Sequence, residues 1–536
     1  MPPEFALVNG RIRTLDAQIG AVQALAVRGE RISAAGTDDE IAALADAHTE
    51  VIDLRGRLVL PGLTDAHCHF EQFARTRTQI DAGQTSKQRV LEMVAERAAA
   101  TPSGEWISGH GWNQTDWDGE FPTAAELDAV APEHVVFLTA RSLHMAWVNS
   151  LALRRARVDS DSADPPGGRI GRDASGTPSG CLFETAIDLV SAVIPEPTVA
   201  ELAAMMEAAQ RAAWRVGLTG LHDYDRRSAF LALQQLRSEG KLGLRVVKNI
   251  PVELLDETLA LGLRSGFGDD WLRIGGIKVF MDGALGPRTA SMISPYENES
   301  GNYGMVVTDK EQLFECASRA SANEMAMTVH AIGDRANHDA LDVLAQLRRE
   351  EAARGQPPAA RRHRIEHVQL LHPDDYQRLG ALQLIASMQP IHATADMFMA
   401  DRHWGARAAG AYAWRTQLSA GATLAFGSDA PVESINPVEG IHAAVTRKRA
   451  DGTPGPDGWF PQQRLSVEEA VRAYTLGSAY AAHQEEQLGT LQPGKLADLI
   501  VLDRDIFRCD PMEIHAASVL GTMVGGEWKQ RAPELS

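Results

Sequence analysis

Two histidines separated by a single residue stand near the beginning of the chain. His67 and His69 end an apolar stretch that has the pattern of a β-strand. Side chains alternate across a strand, so both imidazoles would project from one face and Cys68 from the other. Such a pair can hold a divalent metal ion, although an H-x-H pair can also arise by chance without any ligand role.

Three further side chains of metal-ligating type follow directly on apolar stretches of strand character: His330, His367 and Asp429. Any one of them alone could have a purely structural role. Imidazole nitrogen and carboxylate oxygen are nevertheless the ligands that borderline divalent metals take, and barrel enzymes place reactive groups at the carboxyl ends of their strands. Together with the H-x-H pair, these side chains indicate a metal site where several strand ends converge.

A lysine lies inside one of the apolar strands. Lys278 stands in the run 274–280, and lysine is rarely buried unless it is paired or neutralised. One interpretation is a salt bridge to an acidic neighbour such as Asp282. The other is a lysine that CO2 has converted to a carbamate, whose two oxygens could bridge two cations.

The elements that must position these residues are strands of a parallel sheet. Eight apolar runs alternate with stretches that have the helical period: 63–69, 218–223, 244–250, 274–281, 325–330, 364–368, 384–388 and 423–428. This alternation predicts an α/β fold, a (β/α)8 TIM-like barrel. Roughly 150 residues separate the first run from the second, so we expect an inserted subdomain at about 71–215.

The two ends of the chain share a sequence pattern that differs from that of the barrel region, because it predicts short strands and turns. We expect residues 1–60 and 486–536 to form one small discontinuous β-sandwich domain, because chain termini often lie close together. The metal-dependent barrel would then occupy residues 61–485.

Composition excludes several classes of partner. The chain of 536 residues has 71 acidic and 52 basic residues, a formal charge of −19, which disfavours a nucleic-acid partner. We find no apolar run of membrane-spanning length and no paired cysteine motif among the four cysteines. We expect a cytoplasmic protein with a small-molecule substrate and no membrane or nucleic-acid partner, assembled as a homo-oligomer, a dimer.

The order H-x-H, Lys, His, His, Asp resembles the amidohydrolase superfamily. Within it the chain is similar to the large branch, amidohydrolase family 3, that includes N-substituted formamide deformylase. Four segments carry this likeness: 61–69, 278–283, 330–334 and 427–431. The resemblance extends over nearly the whole chain, and it is specific for the ligand pattern rather than for a substrate.

The resemblance implies a binuclear centre. One cation would bind His67, His69 and Asp429, and the second His330 and His367, while carbamylated Lys278 and a hydroxide would bridge both. Two zinc ions per chain are the expected cofactors. Such ions lower the pKa of bound water and polarise a scissile carbonyl. Asp429 would accept the water proton and pass it to the leaving nitrogen.

A second set of residues could contact substrate, but each of them also has another interpretation. After the Lys278 strand these are Asp282, Gly283 and Arg288, and Arg288 could bind a carboxylate or carbonyl. Trp112, Asn113 and His144 in the insertion and His222 after the second strand could line the pocket, although a structural role is favoured for each of them. His392 and Asp396 after the seventh strand could contact substrate or support the metal ligands.

Three functions compete. The leading prediction is an amidase or deformylase that cleaves a C–N amide-type bond. A metal-dependent deaminase of a heterocycle is the enzymatic alternative, but such deaminases commonly use one metal and lack the bridging lysine. A catalytically silent barrel that serves as an interaction protein is disfavoured because every expected ligand is present.

Overall fold

Two compact units make up the chain. The computed structural model describes residues 1–83, 86–113, 117, 121–140 and 145–535. Unit 1 comprises Met1–Gln72 and Met206–Ser536, and unit 2 comprises Phe73–Met205. None of the described helices is long and apolar enough to cross a membrane.

The strands of the described residues are β1 (Phe5–Val8), β2 (Arg11–Arg13), β3 (Ala21–Val22), β4 (Ala24–Arg28), β5 (Arg31–Gly36), β6 (Glu50–Asp53), β7 (Leu58–Pro61), β8 (Leu63–Cys68), β9 (Ile80–Asp81), β10 (Trp106–Trp112), β11 (Val135–Ala140), β12 (Met145–Val148), β13 (Gly168–Arg172), β14 (Pro178–Glu184), β15 (Leu218–Asp223), β16 (Arg245–Pro251), β17 (Leu272–Phe280), β18 (Met327–Ala331), β19 (Arg364–His367), β20 (Ile385–Met388), β21 (Thr423–Phe426), β22 (Leu499–Leu502), β23 (Val519–Val524) and β24 (Glu527–Arg531).

The α-helices are α1 (Asp38–Ala42), α2 (Phe70–Thr78), α3 (Lys87–Ala99), α4 (Ala124–Val130), α5 (Ser150–Arg155), α6 (Asp188–Ser191), α7 (Val199–Arg215), α8 (Arg227–Ser238), α9 (Leu255–Ala260), α10 (Lys310–Ala322), α11 (Asp334–Ala353), α12 (Arg378–Ala381), α13 (Pro390–Trp404), α14 (Trp414–Ser419), α15 (Pro437–Thr446), α16 (Val467–Arg472) and α17 (Ser478–Ala481). A π-helix spans Ala473–Gly477. Short 3-10 helices span Thr185–Ile187, Val252–Leu254, Pro358–Ala360, Pro373–Asp375, Gly405–Gly410, Pro461–Gln463, Pro511–Ala516 and Pro533–Leu535.

An eight-stranded parallel sheet forms the barrel of unit 1. Its order is β21-β20-β19-β18-β17-β16-β15-β8, so neighbours in the sheet follow one another along the chain. All eight strands expected from the sequence are present, and the prediction of a TIM-like barrel is confirmed. The strands are apolar and buried because helices cover the sheet, as in other parallel sheets.

Backbone hydrogen bonds join the first and last barrel strands at their carboxyl ends. The amide of Asp429 donates to the carbonyl of His67 at 2.7 Å, and the amide of His69 donates to that of Ala430 at 2.9 Å. Below them the buried Asp65 carboxylate accepts from the backbone amides of His67 and Ser428, each at 3.0 Å. These bonds close the barrel where the H-x-H pair and Asp429 stand.

Glycine is required at position 427 for this closure. A Cβ atom there would lie 2.5 Å from the Asp65 carboxylate and 2.5 Å from the His67 amide nitrogen. No larger residue fits without displacing the backbone that carries His67.

Local signals explain where helices near the site begin. The Asp309 carboxylate caps α10 by accepting from the amide of Gln312 at 2.8 Å. Helices α13 and α15 begin with Pro390 and Pro437, residues whose fixed φ suits the first helical position. His392 therefore lies in the first turn of α13.

The two ends of the chain meet in one sheet. Its order is β24-β23-β22-β7-β2-β3, and β7 pairs antiparallel with β22. A second sheet, β5-β4-β1-β6, comes from the amino-terminal end alone. Leu7, Val59 and Val501 belong to one buried cluster between these strands. The division of this unit into a barrel and an independent β-sandwich domain of residues 1–60 and 486–536 stays a prediction.

Unit 2 contains a mixed sheet of order β13-β14-β12-β11-β10-β9. Its core includes three tryptophans: the rings of Trp112 and Trp117 stack at 5.5 Å, and Trp147 meets both rings edge-on. In sequence this unit lies within the insertion expected at about 71–215.

Candidate metal centre

One group of possible metal ligands lies across the barrel closure. Nε2 of His67 lies 3.5 Å and Nε2 of His69 lies 3.4 Å from Oδ1 of Asp429. One ligand atom from each residue falls within 4.8 Å of the others. These three residues could hold a divalent cation with nitrogen and oxygen ligands.

In each histidine, a carboxylate contacts Nδ1, the far nitrogen, which is the ring nitrogen that points away from Asp429. Nδ1 of His67 lies 2.7 Å from Oε2 of Glu366, and Nδ1 of His69 lies 3.3 Å from Oδ1 of Asp225. Such partners fix the tautomer and orientation of a ligating imidazole, so that Nε2 carries the lone pair. The sequence analysis missed both carboxylates. Their only signal was their position, next to His367 for Glu366 and after β15 for Asp225.

Glu366 is itself held by two buried side chains. Tyr224 donates its hydroxyl to Oε1 at 2.7 Å, and Nε of Arg364 lies 2.9 Å from the same oxygen. Burial alone would raise the pKa of Glu366, but Arg364 and His67 outweigh it and hold that pKa well below its usual range. The Tyr224 ring also stacks on His67 at 3.9 Å. Glu366 therefore stays ionised and fixed beneath the first ligand.

His222 belongs to this supporting network. Arg364 donates to its Nδ1 at 2.8 Å, and the ring is buried. Burial, followed by the nearby Arg364 charge, lowers the pKa of His222 well below its usual range. The role expected for it in substrate binding stays a prediction; the contacts seen here are with the barrel interior.

A second group of possible ligands consists of His367, His392 and Asp429. One ligand atom from each again lies within 4.8 Å of the others. Nδ1 of His367 donates to Oε1 of Gln389 at 2.8 Å, while Nδ1 of His392 lies 3.1 Å from Nε2 of Gln369. The sequence analysis placed His392 among possible substrate or supporting residues, whereas the structure brings it to Asp429.

His330 lies next to His367, with 4.6 Å between ring centroids. Its Nε2 is 3.0 Å from the carbonyl of Gly283 and 3.5 Å from Oδ1 of Asp282. In this orientation Nε2 of His330 is engaged, whereas its Nδ1 has no hydrogen-bond partner among the described residues. Its assignment as a ligand of the second cation stays a prediction.

Lys278 is buried without an ionic partner among the residues that the structure describes. Among the described residues, no carboxylate oxygen lies within salt-bridge distance of its Nζ, which lies 4.6 Å from the ring centroid of Tyr224 and 4.7 Å from that of Phe280. Burial lowers the pKa of Lys278 to about 8, although Glu366 and Asp429 oppose the shift. The amine is therefore far easier to neutralise than an ordinary lysine.

Asp282 does not pair with Lys278, which corrects one of the two interpretations of that lysine. Its carboxylate accepts from the backbone amides of Ser291 at 2.9 Å, Ile332 at 3.0 Å and Gly333 at 2.8 Å. Burial raises the pKa of Asp282 to about 7. The carboxylate ties the segment after β17 to the segment after β18 and thereby supports His330.

A divalent cation fits the polar atoms that this region leaves unsatisfied. Among the candidate ligands, four buried atoms have no hydrogen-bond partner within the described ranges: Lys278 Nζ, His330 Nδ1, His392 Nε2 and Asp429 Oδ1. Burial of polar atoms without partners is costly, and four in one region are unusual for a structural core. The imidazoles and the carboxylate are donors of the type that zinc and similar cations take. The Lys278 amine would join them only after conversion to the carbamate.

The remaining candidates lie in less distinctive surroundings. Arg288 is half exposed and forms an ion pair with Glu299. Asp396, one turn after His392 on α13, accepts from the Tyr412 hydroxyl at 2.7 Å. Their roles toward substrate stay predictions.

The insertion residues differ from one another. Trp112 is fully buried in the core of unit 2, and its Nε1 donates to the carbonyl of Leu138 at 2.8 Å. The structure thus gives Trp112 a packing role, because a ligand could reach it only if that core opened. Asn113 directly follows β10, and His144 lies outside the described residues.

The chain combines a parallel barrel with side chains of metal-ligating type at its strand ends, which is where barrel enzymes carry their active sites. Residues 50–528 match the sequence pattern of the family described as Amidohydrolase family. The chain belongs to this family, and the resemblance inferred from its motifs is confirmed.

Relatives match the chain over almost its entire length. It is 34% identical to Protein LONG AFTER FAR-RED 3 of Arabidopsis thaliana, over 98% of this chain and 91% of that protein. It is 29% identical to N-substituted formamide deformylase of Arthrobacter pascens, over 98% of this chain and 97% of that enzyme. A crystal structure of an uncharacterized metal-dependent hydrolase from Pyrococcus furiosus superposes with a TM-score of 0.77 and 31% identity, covering 94% of this chain and all (100%) of the other.

Proposed function

We propose that the protein hydrolyses an amide-type C–N bond of a small molecule: an amide, an N-substituted formamide or a cyclic amide. The observation that carries this proposal is the His67, His69 and Asp429 group, in which an ionised carboxylate lies beside two histidines whose far nitrogens are already held. The likeness to a formamide deformylase supports the choice of bond.

Two divalent cations, zinc in the first instance, would occupy the centre. The first would bind His67, His69 and Asp429, and the second would bind His330 and His367. Carbamylated Lys278 would bridge both. When bound, such cations supply Lewis acidity that lowers the pKa of a bridging water and polarises the scissile carbonyl. Lys278 is suited to carbamylation because its neutral amine can bond to the carbon of CO2 and release a proton.

Asp429 has the properties of the proton carrier. Burial would raise the pKa of its carboxyl group, but His69 and His67 outweigh this and hold the pKa well below its usual range. The side chain is therefore a carboxylate at neutral pH. In our proposal it accepts the proton of the attacking water and delivers it to the leaving nitrogen.

The test is the substitution Asp429→Asn assayed across formamides, N-acyl amines, cyclic amides, esters and aminated heterocycles. We expect the parent protein, reconstituted with zinc, to cleave at least one amide-type substrate. The variant should lose at least about 10³-fold in kcat while it keeps the parental circular dichroism spectrum. The exposed Asp374→Asn is the matched control and should retain parental kcat.

Equal kcat in Asp429→Asn and in the parent would remove Asp429 from the mechanism. Ammonia release from aminated heterocycles, without cleavage of any amide, would replace the proposal by deamination.

A further inference from the structure

We propose that His392 is a ligand of the second divalent cation, together with His367 and Asp429. This inference rests on the proposed two-cation function and changes the ligand set of one cation. His392 comes from the first turn of α13, whereas the ligands implied by the family resemblance stand at strand ends.

The two oxygens of Asp429 face different histidines. Oδ1 lies 3.5 Å from Nε2 of His67 and 3.4 Å from Nε2 of His69, whereas Oδ2 lies 3.7 Å from Nε2 of His392. One carboxylate thus stands between two groups of imidazoles, each with its ligand atoms within 4.8 Å of one another. A carboxylate placed in this way can give one oxygen to each of two cations.

The rings of His367 and His392 are oriented alike. They are parallel within 9°, with 6.2 Å between centroids, and each presents Nδ1 to a glutamine. Gln389 accepts from Nδ1 of His367 at 2.8 Å, which leaves the lone pair on Nε2. A ligating imidazole needs such a partner for its far nitrogen.

Gln369 can give His392 the same tautomer. Its Nε2 lies 3.1 Å from Nδ1 of His392, while its own Oε1 is buried and has no partner among the described residues. Turning the amide by 180° exchanges nitrogen and oxygen at almost no steric change. Oε1 then accepts from Nδ1 of His392, and the lone pair of Nε2 faces Asp429.

Burial explains why Nε2 of His392 needs a partner. The residue is only 6% exposed, and Nε2 has no hydrogen-bond partner within the described parts of the chain. Nε2 of His330, by contrast, is engaged by the carbonyl of Gly283 at 3.0 Å. A cation between His367, His392 and Asp429 would satisfy the unpartnered nitrogen, while the turned Gln369 amide would keep a hydrogen bond to Nδ1 of His392 in the opposite direction.

The test measures zinc binding rather than turnover. Full-length parent and His392→Asn are stripped, titrated with zinc against a chromophoric chelator, and assayed for zinc content after dialysis. We expect two zinc ions in the parent. In His392→Asn the first Kd should be unchanged, and the second should rise by about 100-fold or more, beyond the usual effect of losing a supporting residue.

His442→Asn is the matched control. His442 is buried on α15, its Nε2 also has no partner among the described residues, and it faces His515 at 5.1 Å rather than Asp429. Both zinc dissociation constants should be parental in this variant. Equal weakening in both histidine variants would overturn the inference, because it would reflect a general effect of emptying a buried histidine position.

The possible results distinguish a failure of the two-cation function from a failure of the role of His392. A parent with one zinc ion at full activity would defeat the two-cation function itself. Two zinc ions with an unchanged second Kd in His392→Asn would overturn only the role of His392. If His392→Asn does not fold, Gln369→Met decides: we expect a second Kd about 10-fold weaker, and an unchanged value would refute the inference.

Discussion

Lys278 is the residue whose surroundings and chemistry are most at odds with an ordinary lysine. Its amine is buried between two aromatic rings and has no carboxylate partner among the described residues, and burial lowers its pKa to about 8. A carbamate would reverse its charge and would need cations nearby, so metal binding and carbamylation should depend on each other.

We predict that Lys278→Ala lowers both zinc content and turnover, the latter by orders of magnitude. Short carboxylic acids added with excess zinc should restore part of the activity, because they replace the missing bridge. Lys278→Arg, which keeps a positive charge, should not be rescued in the same way. Zinc analysis and rescue kinetics test this, with carboxylic acid added to the parent as control. Full zinc content and full turnover in Lys278→Ala would contradict the bridging role.

Residue types at strand ends were visible in the sequence, but their partners were not. His67 and Glu366 are separated by 299 positions, and nothing local pairs them. His392 was underrated for a related reason: it stands on a helix, where a lone histidine has no periodic pattern to mark it as a ligand. Both the Glu366 partner of His67 and the position of His392 near Asp429 depend on contacts across the barrel, which the sequence does not show.

At the scale of elements, α11 is anchored by one buried glutamate. Glu351 accepts from Ser321 Oγ of α10 at 2.6 Å, lies 2.7 Å from Nε2 of His363 and pairs with Arg348 at 2.8 Å. Burial would raise the pKa of Glu351, but His363, Ser321 and Arg348 lower it to about 2. A glutamate with a depressed pKa stabilises the folded state above its ordinary pKa, and this stabilisation fades as the pH falls toward 2.

We predict that Glu351→Gln lowers the free energy of unfolding by roughly 3 kcal/mol at pH 7, because the partners lose a buried charge. The difference from the parent should shrink between pH 4.5 and 2, since the parent then protonates Glu351 as well. Urea unfolding at pH 7 and pH 3 measures both effects. Glu350→Gln, a neighbouring and more exposed position, should change stability by less than about 1 kcal/mol. A difference from the parent that is independent of pH would refute this account.

Elements were predictable where one physical rule dominates. The eight barrel strands are continuous apolar runs because both faces of a parallel sheet are covered. Their ends shifted by a few residues: the run expected at 274–281 is Leu272–Phe280, and the run expected at 325–330 is Met327–Ala331. The strand order of unit 2 could not be foreseen, because its sheet mixes parallel and antiparallel neighbours that are joined by loops of unequal length.

At the scale of the whole molecule, the division into two units assigns Trp112 to the core of unit 2. We predict that Trp112→Ala destabilises this unit by about 3–5 kcal/mol, while zinc content, which depends on unit 1, stays parental. Limited proteolysis mapped by mass spectrometry should show new cleavage within residues 73–205. The exposed Val193→Ala serves as control. Loss of zinc in Trp112→Ala without added cleavage would show that the units do not respond separately.

The sequence analysis expected one discontinuous domain from the similar short strands and turns of the two chain ends, and that domain stays a prediction. The structure shows that β7 pairs with β22. The similarity of the two ends does not determine which residues belong to an independent domain, because buried contacts also connect these ends to the barrel. Arg245 of β16, for example, binds the Asp498 carboxylate through two hydrogen bonds of 2.6 and 2.9 Å. A sequence shows which segments are alike, but not how firmly they join a neighbour.

The closure of the barrel between His67 and Asp429 determines when, during synthesis, this group of residues can come together. The amide of Asp429 bonds to the carbonyl of His67, so the first and last barrel strands supply the same group of ligands. During translation, more than four-fifths of the 536 residues must be synthesised before these ligands can meet. This candidate ligand group can therefore assemble only in the final stage of synthesis, and a chain truncated before β21 would carry the H-x-H pair yet lack the carboxylate that completes the group.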